Sequence, residues 1–154
     1  MTSRKISQRI IRIATWNVGT MRGRSGEVVE TIARKNIDLC CVQEVRWRGA
    51  STRFIKGKDS RYKFFWIGNA KGTGGVGILL AEKWVENVHD IKRISDRIML
   101  IKLLIGNTVL NVLSVYAPHS SLDDSIKDSA VSGFSADEIV LPVVIETDIL
   151  VKLQ

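Results

Sequence analysis

The sequence predicts an α/β domain that is mostly sheet and is built around one parallel strand–helix–strand unit. Three observations predict it. Ile10 to Trp16 (IIRIATW) and Ile37 to Gln43 (IDLCCVQ) are strand-like runs, the second apolar on both faces. Between them, Ser25 to Lys35 carries Val28, Val29, Ile32 and Ala33 at helical spacing. Beyond them, apolar runs separated by Gly and Asn continue as far as Tyr116 with no second clear helix.

Taken in order, the first strand runs into the three-glycine loop NVGTMRGRSG. Ser25 is placed to cap the helix and Asn36 to end it. The second strand is central, and it lies parallel to the first through a right-handed crossover. Residues 45–61 read as a basic loop, and Tyr62 to Ile67 (YKFFWI) as a strand. The turn GNAKGTGG, with Gly72, Gly74 and Gly75, leads into a partner strand, Val76 to Ala81. Val88 to Ile94 is a weaker strand, and the two apolar runs around Gly106-Asn107 form a hairpin. After His119 the chain turns acidic and Ser-rich, with Ser121 as a helix cap; the segment after Pro142, VVIETDILVKL, reads as one strand. The division is a basic N-terminal segment (1–9), a domain (10–128) and a C-terminal tail (129–154).

Charge follows the same division. The 154-residue chain has a net charge of +7; the part up to His119 carries 21 Lys/Arg against 9 Asp/Glu, and the rest 2 against 7. The basic part suits a polyanion such as DNA or another nucleic acid, although a soluble domain with a basic surface has the same composition. Cys40 and Cys41 are adjacent, point to opposite faces of a strand and lack metal-ligand spacing, which suits a reducing compartment. No apolar run reaches the length of a membrane span and no signal-peptide core is present. The expectation is an intracellular protein, nuclear or cytoplasmic, with no membrane partner; the oligomeric state is open.

Three polar residues sit where strands end. Asn17 follows the first strand and Glu44 the second, and Tyr116 follows Thr108 to Val115. The carboxyl ends of strands are where open α/β sheets bind ligands. If the third strand is parallel to the other two, an amide, a carboxylate and a phenol meet at one rim. The first two suit a hard cation such as Mg2+, and the phenol can donate to a phosphate oxygen. Taken singly, an Asn after a strand is usually a turn residue, a Glu there a solvated one, and a Tyr before Ala-Pro a packing residue.

The segments ATWNVGTM, LCCVQEVRW, GGVGILL and VLSVYAPHS, in this order, resemble the endonuclease/exonuclease/phosphatase superfamily over about residues 10–128. Within it they resemble the retrotransposon-type branch, which includes proteins called craniofacial development protein 2. The resemblance implies a four-layer α/β sandwich of the DNase I and exonuclease III kind and phosphodiester hydrolysis dependent on Mg2+, or on Mn2+ in its place. It implies Glu44 as the metal ligand of the QE motif. Asn17 of WN would organise metal and phosphate, and Tyr116 of YAP would contact the scissile phosphate.

The resemblance also implies a GDxN motif and an SDH motif further on, and the sequence contains neither. Asp148, in IETDIL, has Thr147 in place of the Gly and Leu150 in place of the Asn, so it is a poor equivalent. The tail therefore reads as divergent, as in a truncated product, with one face of the central strands left without a second sheet. Residues 46–63 carry seven cations, one acid and three aromatics. Arg46, Trp47, Arg48 and Arg53, with Arg22 and Arg24 from the loop after Asn17, are the candidate nucleic-acid contacts. A solvated loop anchored by its aromatics would look the same. Trp16, Trp66 and Trp84 are assigned to the core or sheet. Three functions compete: a DNA endonuclease, weak or inactive as this chain; a nucleic-acid-binding relic that does not cut; and a phosphatase acting on a small phosphorylated substrate.

Overall fold

The computed structural model describes residues 9–116, 134–143 and 148–153. The basic segment before Arg9, His119 and the acidic stretch with Ser121 lie outside the described residues. Two twisted sheets face each other. The first has six strands, β1 (Arg9–Asn17), β2 (Leu39–Gln43), β3 (Ala50–Lys56), β4 (Arg61–Ile67), β5 (Val76–Ala81) and β10 (Asp148–Leu153), in the order β10-β1-β2-β5-β4-β3. The second has β6 (Val88–Ser95), β7 (Ile98–Ile105), β8 (Thr108–Val115) and β9 (Ile139–Val143), in that order.

The predicted βαβ unit is present. β1 and β2 are parallel, and α1 (Ser25–Arg34) connects them. Ser25 is the first helical residue and not its cap: Arg24 holds the cap position and no side chain caps the helix. Asn36 takes the left-handed conformation (φ 56°) that ends it. Val28, Val29 and Ile32 pack with Ala14, Cys40, Val42 and Leu79 on the outer face of the first sheet. On the other face Ile11, Ile13, Leu39, Cys41, Ile78 and Leu80 meet Met99, Ile101, Leu103, Leu110 and Val112 of the second sheet. β2, buried at all five positions, is central because it feeds both of these layers.

Four expectations are corrected. Residues 45–61 are not all loop: β3 lies within them, antiparallel to β4, and went unseen because Ile55 is its one buried residue and it shows no alternation. β8 belongs to the second sheet, where it pairs with β7, so it does not run beside β1 and β2. The segment around Pro142 is two strands in two sheets. β9 pairs parallel with β8 at a sheet edge, where a proline removes no needed donor, and β10 pairs antiparallel with β1. The second sheet covers the face of the central strands that the sequence reading left open. Arg93 of β6 also ties the sheets at their margin, donating to the carbonyls of Trp66 (3.0 Å) and Ser51 (2.7 Å).

Candidate active site

β2 does not simply stop. Gln43 is buried and its amide nitrogen donates across the strands to Thr15 Oγ1 at 2.8 Å, tying the end of β2 to β1. Glu44 and Arg46 then adopt left-handed backbone, φ 60° and 57°. For residues with a Cβ this conformation costs on the order of 1–2 kcal/mol each, and such strain persists where the surroundings enforce it. The enforcement is visible on both sides. Val18 N–H donates to Gln43 O (3.1 Å) and Met21 N–H to Val45 O (2.9 Å), while Val45 N–H donates to Gly75 O (3.3 Å) and Arg46 N–H to Gly74 O (2.8 Å). Gly75 has φ 93°, where a side chain is strained, and an added Cβ would sit a tight 3.2 Å from Ile67 O. These two glycines thus do more than serve a hairpin: they hold the Glu44 turn. The sequence signal was a glycine pair directly before the strand that pairs with β2.

Into this turn comes Tyr116 from the other sheet. Its N–H donates to Arg97 O at 2.9 Å, which fixes the end of β8, and its hydroxyl donates to Glu44 Oε1. That hydrogen bond, with burial and the Glu44 charge adding to it, raises the phenol pKa, while Arg97 and Arg46 pull it down. Arg97 was not singled out from sequence and nothing local marks it. Arg46 Nη2 reaches Glu44 Oε2 at 3.1 Å. Asn17 is exposed and pairs with Gln43 in the register, next to Glu44 in the chain; its Oδ1 accepts from Gly19 N–H at 3.1 Å. The structure therefore brings Tyr116 to Glu44, and places Asn17 on the adjacent strand end. Asp148 opposes Ala14 at the start of β10.

The candidate nucleic-acid residues gather beside this point. An open concavity of about 690 Å³ is lined by Met21, Arg22, Trp47, Arg48, Arg53 and Trp66 with Gly23 and Ser25. Trp47 stands edge-on to Phe64 and Trp66, at ring separations of 5.4 and 5.0 Å, and the Arg53 guanidinium lies 4.2 Å from its ring centre. Arg22 is also a bracket: its Nε donates to Arg46 O (2.7 Å) and Nη2 to Gly72 O (3.2 Å). Arg24 donates to Val18 O at 2.6 Å and pairs with Glu27. Both guanidinia thus serve the backbone of the loops around Glu44. Phe54, on the edge strand β3, is covered by Arg61 at 3.7 Å.

A sequence model for the endonuclease/exonuclease/phosphatase family matches residues 14–137, most of the chain. The chain belongs to this family. Among solved structures, an endonuclease/exonuclease/phosphatase family protein from Leptotrichia buccalis C-1013-b superposes with a TM-score of 0.50 at 16% identity, over 86% of this chain and 65% of that one. The endonuclease domain of TRAS1, a telomere-specific non-LTR retrotransposon, gives 0.48 at 13% identity, over 79% and 52%. The AP endonuclease LMAP from Leishmania major gives 0.48 at 12% identity, over 81% and 45%. The chain spans about half the length of these last two structures. No curated protein matches the sequence.

The family's implied divalent metal can be tested against the donors present. Among the described residues no group of three or more His, Cys, Asp or Glu side chains is assembled. What the rim offers is oxygen: one carboxylate, Glu44, and the amide of Asn17 on the neighbouring strand. That donor set fits Mg2+, which binds through one or two carboxylates and fills its remaining positions with water and substrate phosphate. Among the described residues no helix is long and apolar enough to cross a membrane.

Proposed function

We propose that this chain forms the metal- and phosphate-binding half of a DNA endonuclease of the retrotransposon-type branch, the branch of craniofacial development protein 2 and its relatives, acting inside the cell. The observation that carries the reading is the Tyr116–Glu44 hydrogen bond across the two sheets. It joins the YAP and QE residues, which lie far apart in the chain and in different sheets.

Glu44 would hold Mg2+, or Mn2+, with Asn17 beside it, and the bound ion would neutralise charge on the phosphodiester. Tyr116, a phenol protonated at neutral pH, would turn its one O–H from Glu44 to a phosphate oxygen when the substrate is bound. Trp47, Arg48 and Arg53 line the concavity and Arg46 lies beside Glu44; together they would supply positive charge and an aromatic surface for the backbone of DNA. The sequence provides no GDxN and no SDH to orient water and move protons. Loss of one acid–base group alone lowers rate by about 10²–10⁴-fold. The 154-residue chain is therefore expected to bind DNA and to cut it weakly or not at all.

Incubation of the purified chain with supercoiled plasmid and Mg2+ tests the catalytic part. The expected result is no nicking above background, while robust nicking abolished by Glu44→Ala would overturn the inactive reading. Salt-dependent binding tests the interface: neutralising Arg46, Arg48 and Arg53 together should flatten the salt slope. An unchanged slope removes these residues from the DNA contact.

A further inference from the structure

The carboxylate assigned to a metal already holds a cation of the chain's own. Arg46 Nη2 sits 3.1 Å from Glu44 Oε2, and Glu44 Oε1 is taken by the Tyr116 hydroxyl. The Arg46 backbone is fixed, because its N–H is held by Gly74 O and its carbonyl by Arg22 Nε. Its side chain is nearly half exposed (48%), whereas that of Glu44 is mostly buried (18% exposed). The arm can leave and the carboxylate cannot.

We propose that Arg46 is the resident counter-ion of the Glu44 site, and that a divalent cation binds there only by displacing it. The physical reason is competition for one partner. A guanidinium and a divalent ion held against one carboxylate neutralise the same charge, and the two cations repel each other at that distance. A largely buried carboxylate left without either would be costly, so the arginine keeps the left-handed turn intact before metal arrives. The two left-handed residues, Glu44 and Arg46, bracket Val45, and their charged ends meet. Arg46 thereby sets metal affinity by opposing it. Released, its planar fork suits a phosphate as well as it suited the carboxylate.

This inference rests on Glu44 being the metal ligand, and one experiment separates the two. Mn2+ binding is measured by calorimetry on the full chain without DNA, for the wild type and for Glu44→Gln, Arg46→Gln and Arg48→Gln. Arg46→Met, which keeps the aliphatic stem, repeats the central arm if Arg46→Gln does not fold. Arg46→Gln is expected to bind Mn2+ roughly two- to fivefold tighter than wild type, the range an exposed ion pair opposes. Arg48→Gln, the same change of charge outside the ion pair, should tighten binding by less than half as much, and Glu44→Gln should abolish it. Unchanged binding in Glu44→Gln would overturn the metal role of Glu44 itself. Binding lost in Glu44→Gln but not tightened in Arg46→Gln would overturn the counter-ion role alone. Equal tightening by Arg48→Gln would reduce the effect to bulk charge and overturn it too.

Discussion

Two carboxylates bracket β2, Asp38 before it and Glu44 after it, and they are held in opposite ways. Asp38 is buried and wired to backbone: its Oδ2 accepts Arg12 N–H at 2.7 Å, its own N–H donates to Arg12 O and its carbonyl accepts Ala81 N–H. Lys83 adds an ion pair at 3.2 Å. The carboxylate oxygens of Glu44 meet two side chains, Tyr116 and Arg46, on a left-handed backbone. Backbone partners cannot leave without opening the sheet, so Asp38 is part of the frame. Side-chain partners can be exchanged for a ligand, and the strain at Glu44 is what a site rather than a frame would carry.

The largest expected effect is on stability. Asp38→Ala strands the Arg12 N–H and should lower unfolding free energy by about 1–3 kcal/mol, read as a fall in the urea midpoint. Glu44→Gly should change it far less. Relief of the left-handed conformation, worth about 1–2 kcal/mol, offsets loss of the Arg46 pair and of the Tyr116 bond. Equal losses at the two ends of β2 would break the contrast.

The second expected effect is on the two tyrosines, the only ones in the chain. Tyr62 donates to Ile37 O at 2.6 Å and is pushed up to about 12 by burial and then by the Asp38 and Cys40 charges, whereas Tyr116 is raised chiefly by its bond to Glu44. An ultraviolet titration should therefore show both tyrosines ionising above the ordinary value of about 10. Both phenols are favoured protonated in the fold. Their stabilisation is complete below about pH 10 and is lost as pH rises through the folded values. Glu44→Gln should return Tyr116 toward the ordinary value and leave Tyr62 high. If Tyr116 ionises normally in the wild type, its link to Glu44 is absent.

The smallest effect is chemical. Cys40 and Cys41 are fully buried, and burial pushes the Cys41 thiol up to about 12, so neither should react with a thiol reagent until urea unfolds the chain. Reaction in the native protein would show that β2 opens more readily than a strand at the centre of the sheet should.

The frame was largely legible from sequence, because α1 and the β1–β2 pair declare themselves by period: Val28, Val29 and Ile32 at helical spacing, and five consecutive buried residues in β2. β3 was not, since an edge strand that buries Ile55 alone has no repeating face to pattern. The pairing of β8 with β7 was legible in the Gly106-Asn107 hairpin, but that this hairpin lies in a second sheet facing β2 was not, because it is a matter of packing between sheets. The site divides in the same way. Glu44 and Tyr116 were readable as residues after strand ends, but the Arg46 pair depends on two left-handed residues that carry no glycine to announce them. Arg22 and Arg24 read from sequence as candidate nucleic-acid contacts, and the fold engages both with carbonyls.

The most direct test of the contrast between the two carboxylates is an anomalous-scattering map from crystals of the full chain soaked in Mn2+. The expected result is a peak within about 2–2.5 Å of the Glu44 carboxylate, with the Arg46 side chain moved off it and no peak at Asp38. A peak at Asp38 with none at Glu44, or Arg46 still paired to an unmetallated Glu44 at saturating Mn2+, would contradict the assignment of Glu44 as the metal-holding end of β2.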